Sequence, residues 1–300
     1  LYGENHPNGV IINYYIKNLQ EGDYIRIDIE NKDGSVIRTF TNNKDKHSKI
    51  ENNDVNKMVG NPVLSNPNDI DNALSSDNLV SLSPRSGGNR LIWDMRYPGF
   101  KSFEGMVLYS SPNVGPKVAP GKYNIKMTYN NQILQKEFEI VKDPRVKISQ
   151  ADYEDQLEFL INVRDEVSRA NQKIIDIRNI KNNMIFISEK TRDNNELQEM
   201  INNYLTDLSE IENNIHMTKN QSRQDPLNYG IRINNRIAFL LADSQRGDYP
   251  PTDQSKEFFI QVKGELDSEV MKLDALIDKH SQKIENYLEE NKIELISLNN

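Results

Sequence analysis

No glycine occurs between Gly121 and Gly230, and no proline between Pro144 and Pro226. Those two residues break helices more often than any others, so a long stretch without them restricts the second half of the chain to long helices. The apolar spacing agrees. After Ser149-Gln-Ala-Asp152, which has the form of a capping box, Leu160, Val163, Val167, Ala170, Ile174 and Ile177 recur every three or four residues. Leu197, Ile201, Tyr204, Leu208, Ile211 and Ile215 repeat the rule after a break at Thr191 to Asn194. So do Leu266, Val270, Leu273, Ile277, His280, Ile284 and Tyr287, downstream of Thr252 and Ser255, either of which can cap the last helix. A shorter helix is predicted near Ile231 to Leu241. Long helices with one apolar stripe must bury it, so residues 146–300 are predicted to form an antiparallel bundle of three or four helices. Coiled-coil dimerisation is the competing use of the same stripes.

The first half is punctuated differently. His6-Pro-Asn-Gly9, Asn31-Lys-Asp-Gly34, Ser86-Gly-Gly88 and Ala119-Pro-Gly121 bracket short runs rich in β-branched and aromatic residues. Val10 to Ile16, Tyr24 to Glu30, Ser35 to Phe40, Arg90 to Met95, Gly121 to Tyr129 and Gln132 to Val141 read as strands. Six or seven short antiparallel strands predict an immunoglobulin-like or fibronectin type III-like β-sandwich over residues 1–142. The region from about 42 to 83, dense in Asn, Asp, Ser and Lys, reads as an insertion with one helical turn near Asp69 to Leu74. The join falls at Lys142-Asp-Pro-Arg145. The predicted fold class is therefore multidomain α and β, with an N-terminal sandwich followed by an α-helical bundle.

Composition narrows the function classes. The net charge of −8 comes almost entirely from residues 143–300, which sum to about −9 against about +1 for residues 1–142. A chain without excess cations is not expected to bind nucleic acid. With 36% hydrophobic residues and a mean hydropathy of −0.74, it holds no apolar run near the roughly 20 residues of a membrane span. The absence of cysteine removes disulfides, thiolate nucleophiles and zinc-thiolate sites. The opening Leu1-Tyr-Gly-Glu4, without Met or a signal peptide, reads as a processed product or a piece of a longer polypeptide.

Candidate chemistry is sparse. His6, His47, His216 and His280 have no metal-type spacing, and structural or solvated roles are predicted for them. Glu4, Asp94 and Glu104 would need to face one another across a cleft to act as a glycosidase acid and base. Asp94, between Trp93 and Arg96, fits an ion pair or turn bond at a strand end instead. No GxSxG elbow, Walker loop or GxGxxG fingerprint occurs. No catalytic, cofactor-binding or metal-binding residue is assigned, and no cofactor is expected. Trp93, Asp94, Arg96, Tyr97, Tyr2 and Tyr14 are the candidate ligand or interface contacts. Trp93 itself divides between a core position and a platform that stacks on sugars.

Tyr2-Gly-Glu-Asn-His-Pro-Asn-Gly9 with Val10 to Tyr15, Asn89-Arg-Leu-Ile-Trp-Asp-Met-Arg-Tyr-Pro98, Ala119-Pro-Gly-Lys-Tyr123 and Lys142-Asp-Pro-Arg145 resemble the C-terminal region of bacterial sortilin-like, BNR/Asp-box β-propeller proteins, often labelled glycosyl hydrolases. The resemblance covers nearly the whole chain, although the insertion is longer than the family pattern and no Asp-box repeat is present. It implies an exported protein, periplasmic, cell-surface or extracellular, from a Bacteroidota-like proteome. It implies an accessory or scaffold region whose partner is an upstream β-propeller domain or another protein. No family catalytic residue maps onto these segments. The competing expectations are a carbohydrate-binding or glycoside-hydrolase-associated module, with a glycan as partner, and an oligomerising cell-envelope component.

Overall fold

The computed structural model of the protein describes residues 6–42 and 79–293. Among them, seven strands precede five helices: β1 (Val10–Ile16), β2 (Ile25–Glu30), β3 (Val36–Thr41), β4 (Leu79–Ser81), β5 (Gly87–Trp93), β6 (Gly121–Tyr129) and β7 (Gln132–Ile140), then α1 (Gln150–Lys190), α2 (Asn195–Ile215), α3 (Pro226–Tyr229), α4 (Ile233–Ser244) and α5 (Asp253–Glu290). The protein is thus a multidomain α and β chain. Tyr2, Glu4, His47 and the helical turn predicted near Asp69 lie outside the described residues.

The strands form two sheets, one of order β4-β3-β2-β6-β7 and one in which β1 pairs with β5. Pairing is antiparallel except between β3 and β4. That parallel pair departs from the all-antiparallel expectation, and it places a strand inside the region read as an insertion. The long connection between Thr41 and Leu79 is what permits it, because parallel neighbours need a crossover of a dozen residues or more. At Asn31 to Gly34 the β2–β3 hairpin closes with Gly34 N–H donating to the Asn31 carbonyl over 3.0 Å. Gly34 has a φ of 84°, which a side chain would strain.

Two compact units emerge: Leu1–Ser102, Pro112–Arg164 and Leu241–Pro251 make the first, and Phe103–Ser111, Asp165–Leu240 and Thr252–Asn300 the second. In the first, Ile25, Ile27 and Ile29 of β2 and Phe40 of β3 share one buried core with Ile12 and Ile16 of β1, Trp93 of β5 and Tyr123 of β6. Alternation along β2 explains this, since its isoleucines fall on one face and leave Arg26 and Asp28 to pair at 2.8 Å on the other.

In the second unit α2 and α5 pack along each other, with Tyr204 stacked on His280 at a ring separation of 4.8 Å. Leu197, Ile201, Tyr204, Leu208, Ile211 and Ile215, the predicted stripe of α2, are all buried. The caps follow the sequence closely. Ser149 and Asp152 bond reciprocally at the start of α1, Ser149 N–H to Asp152 Oδ2 over 2.8 Å and Asp152 N–H to Ser149 Oγ over 3.2 Å. Of the two possible caps of α5, Thr252 serves, its Oγ1 accepting from Ser255 N–H over 3.1 Å. Among the described residues no helix is long and apolar enough to cross a membrane.

Candidate functional site

The predicted contact residues fall into two places in the first unit. The Trp93 to Tyr97 segment forms a knot of internal bonds. Trp93 ends β5 fully buried, at 0% exposure, with Tyr123 and Phe138 each edge-on to its ring at 6.2 Å. Its indole Nε1–H donates to the Arg96 carbonyl over 3.2 Å, so its one polar atom is satisfied. The ring therefore presents no face on which a sugar could stack.

Between them the chain turns sharply, with Met95 at φ 60°. Asp94 Oδ1 accepts from Arg96 N–H over 3.2 Å, and the Arg96 guanidinium donates to the Gly115 carbonyl over 2.8 Å and to Gln245 Oε1 over 3.0 Å. Tyr97 N–H donates to the Pro116 carbonyl over 2.8 Å. The Tyr97 hydroxyl meets the Asn31 side-chain amide, whose Nδ2–H donates to it over 3.0 Å.

Asp94 also faces Arg38 of β3, Oδ1 to Nη2, at 3.7 Å. Arg38 stands opposite Ile29 in the sheet register, in the row that points into the core, and its side chain is 1% exposed. Burial lowers the Arg38 pKa against the pull of Asp94, and burial raises the Asp94 pKa against Arg38 and Arg96. Its Nε and Nη1 have no hydrogen-bond partner among the described residues. The cluster is an internal ion pair bracing the end of β5. Nothing in the strand sequence marked Arg38, because Val36-Ile-Arg-Thr-Phe-Thr41 reads equally well with either face inward.

The second place is a groove. The five-stranded sheet is wider than the β1–β5 pair opposite it, so Ile125 and Met127 stay half-buried although β6 is an interior strand. Over them lies a cavity of about 850 Å³, walled by β1 from Val10 through Ile16 and floored by Ile125, Met127, Leu134 and Phe138. That volume is within the range of ligand clefts. Tyr14 lines the wall, half-buried, and burial raises the pKa of its phenol. The charged side chains at the groove are Lys17 and Lys136; no carboxylate lines it. Leu134 is 70% exposed on β7, whose only partner among the described residues is β6. Of its lining only Tyr14 was a predicted contact, because the groove's two sides come from opposite ends of the first half. The one local signal was Ile133-Leu134, adjacent apolar residues that put one on each face of a strand.

A shallow polar surface adjoins the outer side of β1, lined by Asn13, Tyr14, Tyr15, Arg85, Asn89 and Arg90, with Tyr15 73% exposed. Arg90 Nε–H donates to Asn13 Oδ1 over 3.3 Å there.

The remaining candidates are dispersed. Glu104 is exposed, and its backbone carbonyl accepts from Arg178 over 2.9 Å. His6 is exposed. His280 lies 3.6 Å from Asp207 in addition to its stack on Tyr204. His216, at the end of α2, is buried beside Phe103 and Asn234, and desolvation lowers its pKa to about 4. Among the described residues no group of three or more His, Asp and Glu is placed to hold a metal ion. No known protein family, no curated protein and no solved structure matches the chain.

Proposed function

We propose that this chain is a non-catalytic accessory or scaffold region that holds a protein partner, and that the groove between its two sheets is where the partner sits. The observation carrying this reading is the groove itself: an open apolar cleft beside a strand edge that is unpaired among the described residues. Exposed apolar surface of this kind marks interaction sites. An immunoglobulin-like reading of the first unit is supported by Tyr123, whose hydroxyl donates to the Ala119 carbonyl over 2.5 Å, the bond that closes the tyrosine corner of such domains. A helical-bundle reading of the second is supported by the buried stripes of α2 and α5. With the motif resemblance, the reading is of the accessory tail of an exported sortilin-like protein, with an upstream propeller or another protein as partner.

A carbohydrate-binding module is the second reading, favoured by the surface around Tyr14 and Tyr15 with its Asn and Arg neighbours. The two separate by experiment. A photo-crosslinking residue at Leu134 should trap the partner protein supplied with the native polypeptide, whereas one at Glu137, on the opposite face of β7, should not. Glycan binding lost on Tyr15→Ala and untouched by Leu134→Glu would replace the first reading with the second. Turnover of glycosides or peptides that disappears on changing a carboxylate would overturn both.

A further inference from the structure

β1 is an edge among the described residues: it pairs with β5 on one side and with nothing on the other. All seven of its residues, Val10 to Ile16, border the groove. In a strand paired on one side only, every second residue turns its N–H and C=O toward the open side, where they can join a further strand. The groove thus offers a backbone edge about seven residues long next to an apolar floor. Adjacent strands lie about 4.8 Å apart and facing sheets about 10 Å apart, so a strand added beside β1 would lie over Ile125, Met127 and Leu134 and fill the space with alternate side chains. A sugar would leave its hydroxyls unpaired against that floor. A helix would leave the edge of β1 unbonded.

Charge selects further. Lys17 and Lys136 are the groove's charged groups, and neither has an ion pair among the described residues, although the chain as a whole is acidic. We infer that the groove takes an extended peptide segment of about seven residues that adds to β1 as a further strand, with apolar side chains at alternate positions and acidic residues that meet Lys17 and Lys136. This inference rests on the docking reading above and names the partner's chemistry.

Fluorescence anisotropy with labelled nine-residue peptides tests it on the whole chain. One set alternates Val or Ile with Thr and carries Asp or Glu at its ends, a second carries Lys at its ends, and a third is the first with alternate backbone nitrogens methylated. A fourth has the same composition ordered as an amphipathic helix. The acidic set should bind, methylation in the register that blocks the β1 edge should weaken it at least ten-fold, and the lysine and helical sets should bind at least ten-fold more weakly. Leu134→Glu, at an exposed position that leaves the core intact, should cost at least ten-fold. Lys136→Glu should narrow or reverse the preference for acidic ends. Equal binding of methylated and unmethylated peptides, with loss on Leu134→Glu, would remove strand addition and leave the docking groove standing. No peptide binding in any set, with oligosaccharide binding at Tyr15, would remove both. A concentration-dependent dimer abolished by Leu134→Glu would assign the groove to a second copy of the chain and overturn the peptide assignment.

Discussion

Arg38 and Asp94 meet at 3.7 Å across the core of the first unit, joining the middle of β3 to the end of β5. Removing the carboxylate leaves the Arg38 guanidinium, whose side chain is 1% exposed, without compensation. Asp94→Asn is therefore expected to destabilise the protein by about 3 kcal/mol or more. The double change Arg38→Met with Asp94→Asn should recover much of that loss, because it removes the stranded guanidinium too. Urea unfolding of the unaltered protein and the two variants measures both values; a double variant less stable than Asp94→Asn would contradict this.

Trp93 is the largest side chain sealed in this core. Replacing it by alanine removes its apolar area and leaves a cavity lined by Tyr123 and Phe138, so Trp93→Ala should cost roughly 3 to 5 kcal/mol. A loss under about 1 kcal/mol would return Trp93 to the role of a ligand platform.

Gly115 lies where a Cβ would come within 1.9 Å of the Tyr97 carbonyl oxygen and 2.4 Å of that of Pro98. These are backbone atoms and cannot swing aside. Gly115→Ala should destabilise by at least about 2 kcal/mol. Gly88→Ala, where nothing lies within 4 Å, should change stability by under about 0.5 kcal/mol. Thermal melts of the pair provide the comparison.

His216 sets a pH dependence. His216 is buried, with its Nδ1 3.2 Å from Asn234 Nδ2. Desolvation, the largest cause, places the folded pKa at about 4, below the unfolded value near 6.5. A group whose folded pKa is depressed contributes fully above the unfolded pKa, and the contribution is lost as pH falls through the window from about 6.5 to 4. The loss is on the order of 3 kcal/mol. Glu212, held by Lys181 at 2.7 Å and Arg178 at 2.8 Å, has a pKa lowered overall despite its burial, and adds a loss of the same sign as pH falls further. Unfolding free energies measured from pH 7 to 4.5 should fall, and His216→Gln should flatten most of that slope.

The parts of the fold legible in the sequence were those set by local chemistry. Helix α1 announces itself through Ser149 and Asp152, and α5 through Thr252, because a cap is a bond between residues three apart. The stripe of α2 could be read residue by residue. Asp94 could be read as a strand-end lock, though its partner Arg38 could not, since its placement depends on how β3 registers against β2, including the shift between Ile29 and Glu30. The parallel seat of β4 depends on a distant connection. The groove was least visible of all. It exists because, among the described residues, one sheet is five strands wide and the other two, and no window of sequence carries the difference in width.

Amide chemical-shift mapping of the whole chain during titration with the acidic-ended alternating peptide is the most direct measurement of whether the groove is a docking site. The largest shifts should fall on Val10 to Ile16 and on Gln132 to Phe138, and the outward-facing amides of β1 should become protected from hydrogen exchange. Shifts confined to the helices, or none at saturating peptide, would contradict it.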